Sequence, residues 1–572
     1  MQKSVRKGLL AAAIAGLLFV SPVTASAQGF DFGDDGGGMD FGDDSGDGGL
    51  DFGSDTKART TVDTNSALYG QYTEARNLVD AKQYLKAAQM LDGMLSSGDP
   101  NVDAMSSLIH FEMGRALYEA GYRQSALNHF VNVLYGNPES KEYNDTLGYL
   151  VLIGRALPGE PERYSRIYQY FLDKFPADVP EALVSEVGYL LAMAAYRESK
   201  FDDTVFFVGN VSQDSEYYPK SRYLEGVTYV RQLKGQPALD AFKEVLRWLD
   251  AKSNREGLTG DEKRLREFTV AALARVFYQV GSGQYNLGNK EKANSSWATS
   301  IKYYNAFSRD SEMWLDALFE ASWAYYRVDN FSKALGLLLT LNSPFFNEEY
   351  HPEALILQAT IYYTNCHYDR VVDILTDYKA TYEPMKLQVD KLVARLFENT
   401  EVYDFLHMVQ NADKDSYDPT LQLILSASVE DRELRRGLAY IDMLDDERKR
   451  IEDNSAIAGT PLAKSLVTEL QATRSLAIES AGKKGKTRLE RLQEELRDLS
   501  NRALDIEIET TEKYAQRAEL REQDPNAMVE FEQQIDQVLK ADDEHLFWTF
   551  DGEYWKDELG YYWYYISSRC GR

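Results

Sequence analysis

"GRALYEAGYRQSALNHFVNVLYGNP", residues 114–138, decides the fold, because its small and large residues return at fixed intervals elsewhere in the chain. Ala126, Phe130 and Pro138 follow Gly114 by twelve, sixteen and twenty-four residues. The first two offsets recur at Gly226, Ala238 and Phe242, and again at Gly281, Ala293 and Trp297. Looser copies are Ala75, Ala87 and Leu91; Ala192, Thr204 and Val208; Ser322, Ala334 and Leu338; and Ala359, Val371 and Leu375. Helix packing accounts for the spacing. A small residue on the first helix of a hairpin faces one on the second, so the backbones approach while the large residue a turn later fills the groove. Each amphipathic hairpin must then stack on its neighbour to bury its apolar face.

From about Ala67 to Pro384 these offsets resemble those of the tetratricopeptide repeat, most closely in the units at Gly114, Gly226 and Gly281. The resemblance implies an all-α solenoid of stacked hairpins. The period stretches beyond the usual length of about 34 residues, Gly154–Pro176 fits as a degenerate eighth unit, and "LDAKSNREGLTGDEKRL" (249–265) is an insertion.

The first residues point to export. Lys3, Arg6 and Lys7 precede the apolar run Leu9–Val20, then Ser21-Pro22 and Ala25-Ser26-Ala27, the tripartite form of a secretory signal cut before Gln28. No later segment approaches the ~20 apolar residues a membrane span needs. With 63 basic and 91 acidic residues the chain carries −28. That field makes nucleic acid and anionic lipid poor partners, because phosphate binding requires neutralising cations. Cys366 and Cys570, the two cysteines, would lie in a compartment that permits a disulfide, but the sequence does not supply the distance between them.

The first helix of each hairpin presents a stripe three residues before the small residue and four after it, a heptad apart. The first set is Tyr72, Phe111, Tyr189, Tyr223, Tyr278, Phe319 and Ile356; the second is Val79, Tyr118, Tyr196, Val230, Tyr285, Tyr326 and Tyr363. Arg197, Arg231 and Arg327 stand one residue beyond three of these. A basic and aromatic stripe suits an extended peptide or an acidic tail. Equally, a tightly wound superhelix would bury the same rings against its next turn.

Beyond the repeats, "GKKGK" (482–486) reads as a turn. Leu462, Leu466 and Leu470 precede it, with "AIAGTP" interrupting near Gly459, and Leu489, Leu492, Leu496 and Leu499 follow at coiled-coil spacing. An antiparallel helical arm is expected, as a spacer or a second docking surface. The last stretch is dense in rings, from Phe547, Trp548 and Phe550 through Tyr554 and Trp555 to Tyr561, Tyr562, Trp563, Tyr564 and Tyr565. It is expected to fold back as a cap, since solenoid ends need covering; binding of a glycan or a partner is the other reading. "FDGEYWKDELGYY" with Cys570 resembles the C-terminal ends of exported repeat proteins in deltaproteobacteria, including those of the myxobacterial adventurous gliding machinery. The resemblance implies a periplasmic scaffold among other repeat proteins and outer-membrane components.

Catalytic chemistry is not visible. His110, His129, His351, His367, His407 and His545 show no metal-ligand spacing, Cys366 and His367 are adjacent and point apart on a helix, and no phosphate-cradling loop precedes a helix. Asp-Phe-Gly occurs at Asp31-Phe32-Gly33, Asp40-Phe41-Gly42 and Asp51-Phe52-Gly53 without the lysine strand or catalytic loop of a kinase. Each copy sets two apolar residues two positions apart in an acidic, Gly-rich context, the form of a tandem docking motif; low-complexity filler or weak cation binding is the alternative.

The expected organisation is a signal peptide at 1–27, a disordered acidic tract at 28–64, a solenoid at 65–385, a charged helical region at 386–540 and an aromatic segment at 541–572. The expected function is a non-enzymatic protein-binding scaffold of the bacterial periplasm, without cofactor or metal. A periplasmic chaperone or carrier holding client peptides is the alternative, and secretion the alternative to periplasmic retention.

Overall fold

The computed structural model describes residues 62–136, 140–157, 163–346, 350–396, 398–411, 432–523 and 552–570. The signal sequence, the Asp-Phe-Gly copies, Pro138, Phe547, Trp548 and Phe550 lie outside them. Among the described residues there are nineteen α-helices and no strand.

In chain order, the helices of the repeat region are α1 (Ala67–Asp80), α2 (Tyr84–Leu95), α3 (Val102–Glu119), α4 (Arg123–Val133), α5 (Lys141–Ala156), α6 (Arg163–Phe171), α7 (Val184–Arg197), α8 (Phe201–Gly209) and α9 (Tyr218–Arg231). They continue as α10 (Gly235–Glu256), α11 (Gly260–Asn286), α12 (Lys290–Tyr304), α13 (Trp314–Arg327), α14 (Phe331–Leu341), α15 (Pro352–Thr364) and α16 (Tyr368–Arg395). Hairpin partners pack on one another, α1 with α2, α3 with α4, α7 with α8, α11 with α12, α13 with α14 and α15 with α16, and first helices also meet first helices, α1 with α3, α3 with α5, α5 with α7, α7 with α9 and α13 with α15. That next-but-one contact is the mark of a stacked array.

The repeat register holds throughout. Ala75, Ala87, Ala126, Ala192, Ala238, Ala293, Ala334 and Ala359 are fully buried, as are Phe130 and Phe242. At Gly114 and Gly281 the space a Cβ would need is filled by the ring sixteen residues on: it would lie 2.7 Å from Phe130 and 2.6 Å from Trp297. Each of the seven hairpins turns through three residues, and the middle one has positive φ: Lys82, Gly121, Ser199, Leu233, Gly288, Asp329 and Cys366. All seven stand seven places after the small residue. The N–H groups there return to the end of the first helix, as in Gly121 N–H to Tyr118 O (2.9 Å) and Tyr122 N–H to Leu117 O (2.9 Å), so the orphan carbonyls are satisfied.

The described residues separate into two compact units, a first of 62–234 with 432–481 and a second of 235–411 with 482–523 and 552–570. The expected solenoid, 65–385, contributes residues to both units. Its expected end falls inside α16, which runs through Pro384 to Arg395. The insertion at 249–265 lengthens α10 and α11, where Thr259 and Glu262 form a capping box and Lys252 pairs with Glu262 at 2.7 Å.

The helical arm is corrected. Residues 482–486 do not turn; they lie within α19 (Pro461–Gln523), which follows α17 (Asn399–Asn411) and α18 (Arg432–Glu452). A Cβ on Gly482 would lie 1.9 Å from Asn399 O, and one on Gly485 2.3 Å from Leu406. Both glycines admit α17 to close contact. The turn lies instead between α18 and α19, at the interruption noted before Gly459, which has φ +77°. In the first unit Arg474 holds Asp445 at 2.9 Å across this hairpin. The hairpin is docked, not free: Glu447 accepts from Gln124 N–H (3.0 Å), Ser125 N–H (2.9 Å) and Ser125 Oγ (2.8 Å), a buried anion at the N-terminus of α4. In the second unit Leu492, Leu496 and Leu499 enter the core formed by α11–α16.

The C-terminal segment folds back, as expected of a cap, along α14 and the α15–α16 turn. Gly560 N–H donates to Thr340 Oγ1 (2.9 Å), Tyr564 N–H to Ser332 O (3.1 Å) and Arg569 N–H to Asn365 O (2.9 Å). Gly336 clears its path, since a Cβ there would lie 2.0 Å from Tyr562 O. Cys366 and Cys570 form a disulfide that fixes the end of the segment. Tyr561, Trp563 and Tyr565 face outward, alternating with the more covered Tyr562, Tyr564 and Ile566.

Candidate peptide-binding cleft

The aromatic stripe is core over most of its length. Tyr72, Val79, Phe111, Tyr189, Tyr196, Tyr223, Tyr278, Phe319 and Ile356 are buried. Burial between stacked first helices therefore removes Tyr72, Tyr189, Tyr196, Tyr223, Tyr278 and Phe319 from any open binding surface. Tyr118, Tyr326 and Tyr363 are half-buried, the last two packed on the second unit's core, and Tyr285 is 43% exposed and lies 5.7 Å from the Trp297 ring. Nor do the arginines form a stripe of open charge. Arg327 donates from Nε to Tyr278 Oη (3.1 Å) and covers the Trp297 ring, Arg231 lies over Phe201, and Arg197 is half-buried.

An open concavity lies across the first helices α1, α3 and α5. There a cleft of about 590 Å³ is lined by Arg76 and Asp80, by Phe111, Glu112 and Arg115, by Lys141, Glu142, Asn144, Asp145, Gly148, Tyr149 and Leu152, and by Leu183. Its centre is an ion cluster. Glu112, 2% exposed, accepts from Arg115 Nη1 at both carboxylate oxygens (3.0 Å at Oε1, 2.8 Å at Oε2) and lies 3.7 Å from Arg76 Nε, while Arg115 Nη2 donates to Asp80 at 3.2 Å. Burial pushes the Glu112 carboxyl above its ordinary range, and Arg115 opposes that shift. The guanidinium is thereby fixed over the Phe111 ring, 5.9 Å from its centre.

The aromatic floor is ordered by stacking. Tyr149 lies parallel to Phe130 at 4.7 Å and edge-on to Tyr118 at 5.2 Å. Gly148 opens the wall beside it, because a Cβ there would meet nothing within 4 Å. Of the expected residues Phe111 lines the cleft, and Tyr118 supports it through Tyr149 without being in its lining. Arg76, Glu112, Arg115 and Tyr149 are functional candidates the stripe did not contain. A signal for two of them was present: Arg76 and Arg115 each follow the small residue of their unit directly.

Four carboxylates against three cations line the cleft. That balance disfavours the acidic tail expected as one occupant. It suits an extended chain of mixed charge, whose backbone and side chains find fixed donors, acceptors and ring faces. For chemistry elsewhere, Cys366 is a disulfide sulfur and so no nucleophile, and His367 meets Ser567 O at 2.7 Å. His110 and His129 meet at Nδ1 (2.9 Å), burial pushing His110 down to about 4, and no group of three metal-ligating side chains occurs among the described residues.

No family model matches the chain, and no curated protein matches it. Among solved structures it is similar to the tetratricopeptide-repeat domain of P58(IPK), at 11% identity and a TM-score of 0.16, over 72% of this chain and 99% of that one.

Proposed function

We propose that the chain is a non-enzymatic protein-binding scaffold, exported to the periplasm, that captures an extended segment of an envelope partner in the cleft across α1, α3 and α5. The observation that carries this reading is the fixed Arg115 guanidinium between the Phe111 and Tyr149 rings that line the cleft, beside the open position at Gly148. Preorganised donors and rings reduce the ordering cost of binding a flexible chain. Among the described residues no helix is long and apolar enough to cross a membrane, so attachment to an envelope-spanning assembly would run through partners. The export signal, the acidic tract and the C-terminal resemblance support placement in such an assembly, gliding machinery included.

Gly148→Trp tests the cleft without touching its ion cluster. A Cβ there meets nothing within 4 Å, and losing a helical glycine favours α5. Capture of the partner after envelope crosslinking should fall by roughly tenfold, with an unchanged or higher melting temperature. Undiminished capture by the plugged protein contradicts the assignment.

A further inference from the structure

A second concavity lies in the other unit, and it has a different chemistry. About 420 Å³ in volume, it is walled by Trp314, Phe345, Phe346 and Leu559, with Arg309 and Lys556 at its rim. Trp314 and Phe346 meet edge-on at 6.2 Å, and Phe345 is 46% exposed, so a ring entering here would meet three aromatic faces. Arg309 is braced by donating to the carbonyls of Lys556 and Asp557, and Lys556 Nζ stands 5.5 Å from the Phe345 ring centre. Among the described residues neither cation is paired with a carboxylate. The carboxylate in the lining, Glu312, is held by Arg264 at 2.6 Å.

An aromatic socket with two cations that have no carboxylate partner among the described residues calls for a ring flanked by carboxylates. In a chain carrying −28 such cations are conspicuous, and the complementary ligand is written three times in its own sequence. Phe32 lies between Asp31 and Asp34, Phe41 between Asp40 and Asp43, and Phe52 between Asp51 and Asp55. The glycine after each ring lets the backbone bend away once the ring is seated. We propose that the socket formed by Trp314, Phe345, Phe346, Leu559, Arg309 and Lys556 receives the Asp-Phe-Gly segments of residues 29–53. Three copies on one tract raise the effective concentration, so that one weak contact is held as a lasting one.

The test uses the full mature chain with Phe32, Phe41 and Phe52 all changed to alanine, titrated against a fluorescent peptide of residues 29–44. Saturable binding is expected, weaker at high salt, and tighter than to the unaltered chain, whose own copies compete. Adding Lys556→Glu, or Phe345→Ser, should weaken it roughly tenfold without changing the melting curve. A peptide with Phe30, Phe32 and Phe41 all alanine should not bind. Absence of saturable binding, or equal affinity for the Lys556→Glu and Phe345→Ser chains, overturns the proposal. So does loss of a foreign partner from those variants when the peptide itself does not bind, which would give the socket to that partner.

Discussion

Gly121 and Gly288 turn the chain between two helices, whereas Gly482 and Gly485 sit inside one long helix and let another helix lie against it. Local sequence favours a turn in both places, and more strongly at 482–486, where lysines surround two glycines. What separates them is tertiary context. At 482–486 the apolar seam of α19 continues on both sides, and the missing side chains create room for α17 that no other residue would leave. In the hairpins the three-residue turn is imposed by the pairing of two helices, so firmly that Lys82, Ser199, Leu233, Asp329 and Cys366 adopt the same left-handed backbone without being glycine. A glycine thus identifies a turn only when the partner of the following helix is known.

The largest effect is expected where the hairpin contact itself is broken. Ala126→Glu places a charge at a fully buried position opposite α3 and should destabilise by about 3–5 kcal/mol, seen in a denaturant melt of the first unit's transition. A near-native midpoint would mean that the helices do not meet there.

Gly482→Ala sharpens the comparison by its sign. An alanine in a solvated helix gains about 1 kcal/mol over glycine, but here the Cβ would collide with Asn399 O and should cost about 2–3 kcal/mol. Thermal denaturation of the variant decides between them.

The seating of α19 in the second unit also predicts a pH effect. Burial raises the Glu495 carboxyl to about 7, with Arg488 opposing and Glu353 adding to the shift. Its folded pKa thus exceeds its unfolded value, so its contribution is fully present below about pH 4.5 and is lost as pH rises through about 7. Stability attributable to this group should fall by about 1–3 kcal/mol across that window. Glu495→Gln should flatten the fall and raise the midpoint at pH 8; the same slope in both proteins would remove Glu495 as its source.

Leu233 gives the smallest effect. It is 93% exposed with φ +58°, so Leu233→Gly should stabilise by about 0.5–1 kcal/mol. A calorimetric midpoint that falls would show that the turn does not strain the backbone.

Much of the fold was legible because the offsets of twelve and sixteen residues are direct consequences of helix contact, and every small residue they identify is buried. The stripe was half legible. Spacing shows that Tyr72, Tyr189 and Phe319 share one helix face, but whether that face meets solvent or the next first helix depends on how closely hairpins stack. The cleft escaped because its distinguishing parts, a buried Glu112 between two arginines and an open Gly148, acquire meaning only when α1, α3 and α5 are side by side. The disulfide was beyond reach for the same reason, its cysteines being 204 residues apart.

The central claim, that partners are held across α1, α3 and α5, is tested most directly by a photocrosslinking residue at Leu152, 45% exposed at the cleft, against one at Leu233. Irradiation of intact cells should give one or a few discrete, stoichiometric adducts from position 152 and none of the same size from position 233. Identical adducts from both positions, or a smear of many minor ones from 152, would contradict a dedicated scaffold.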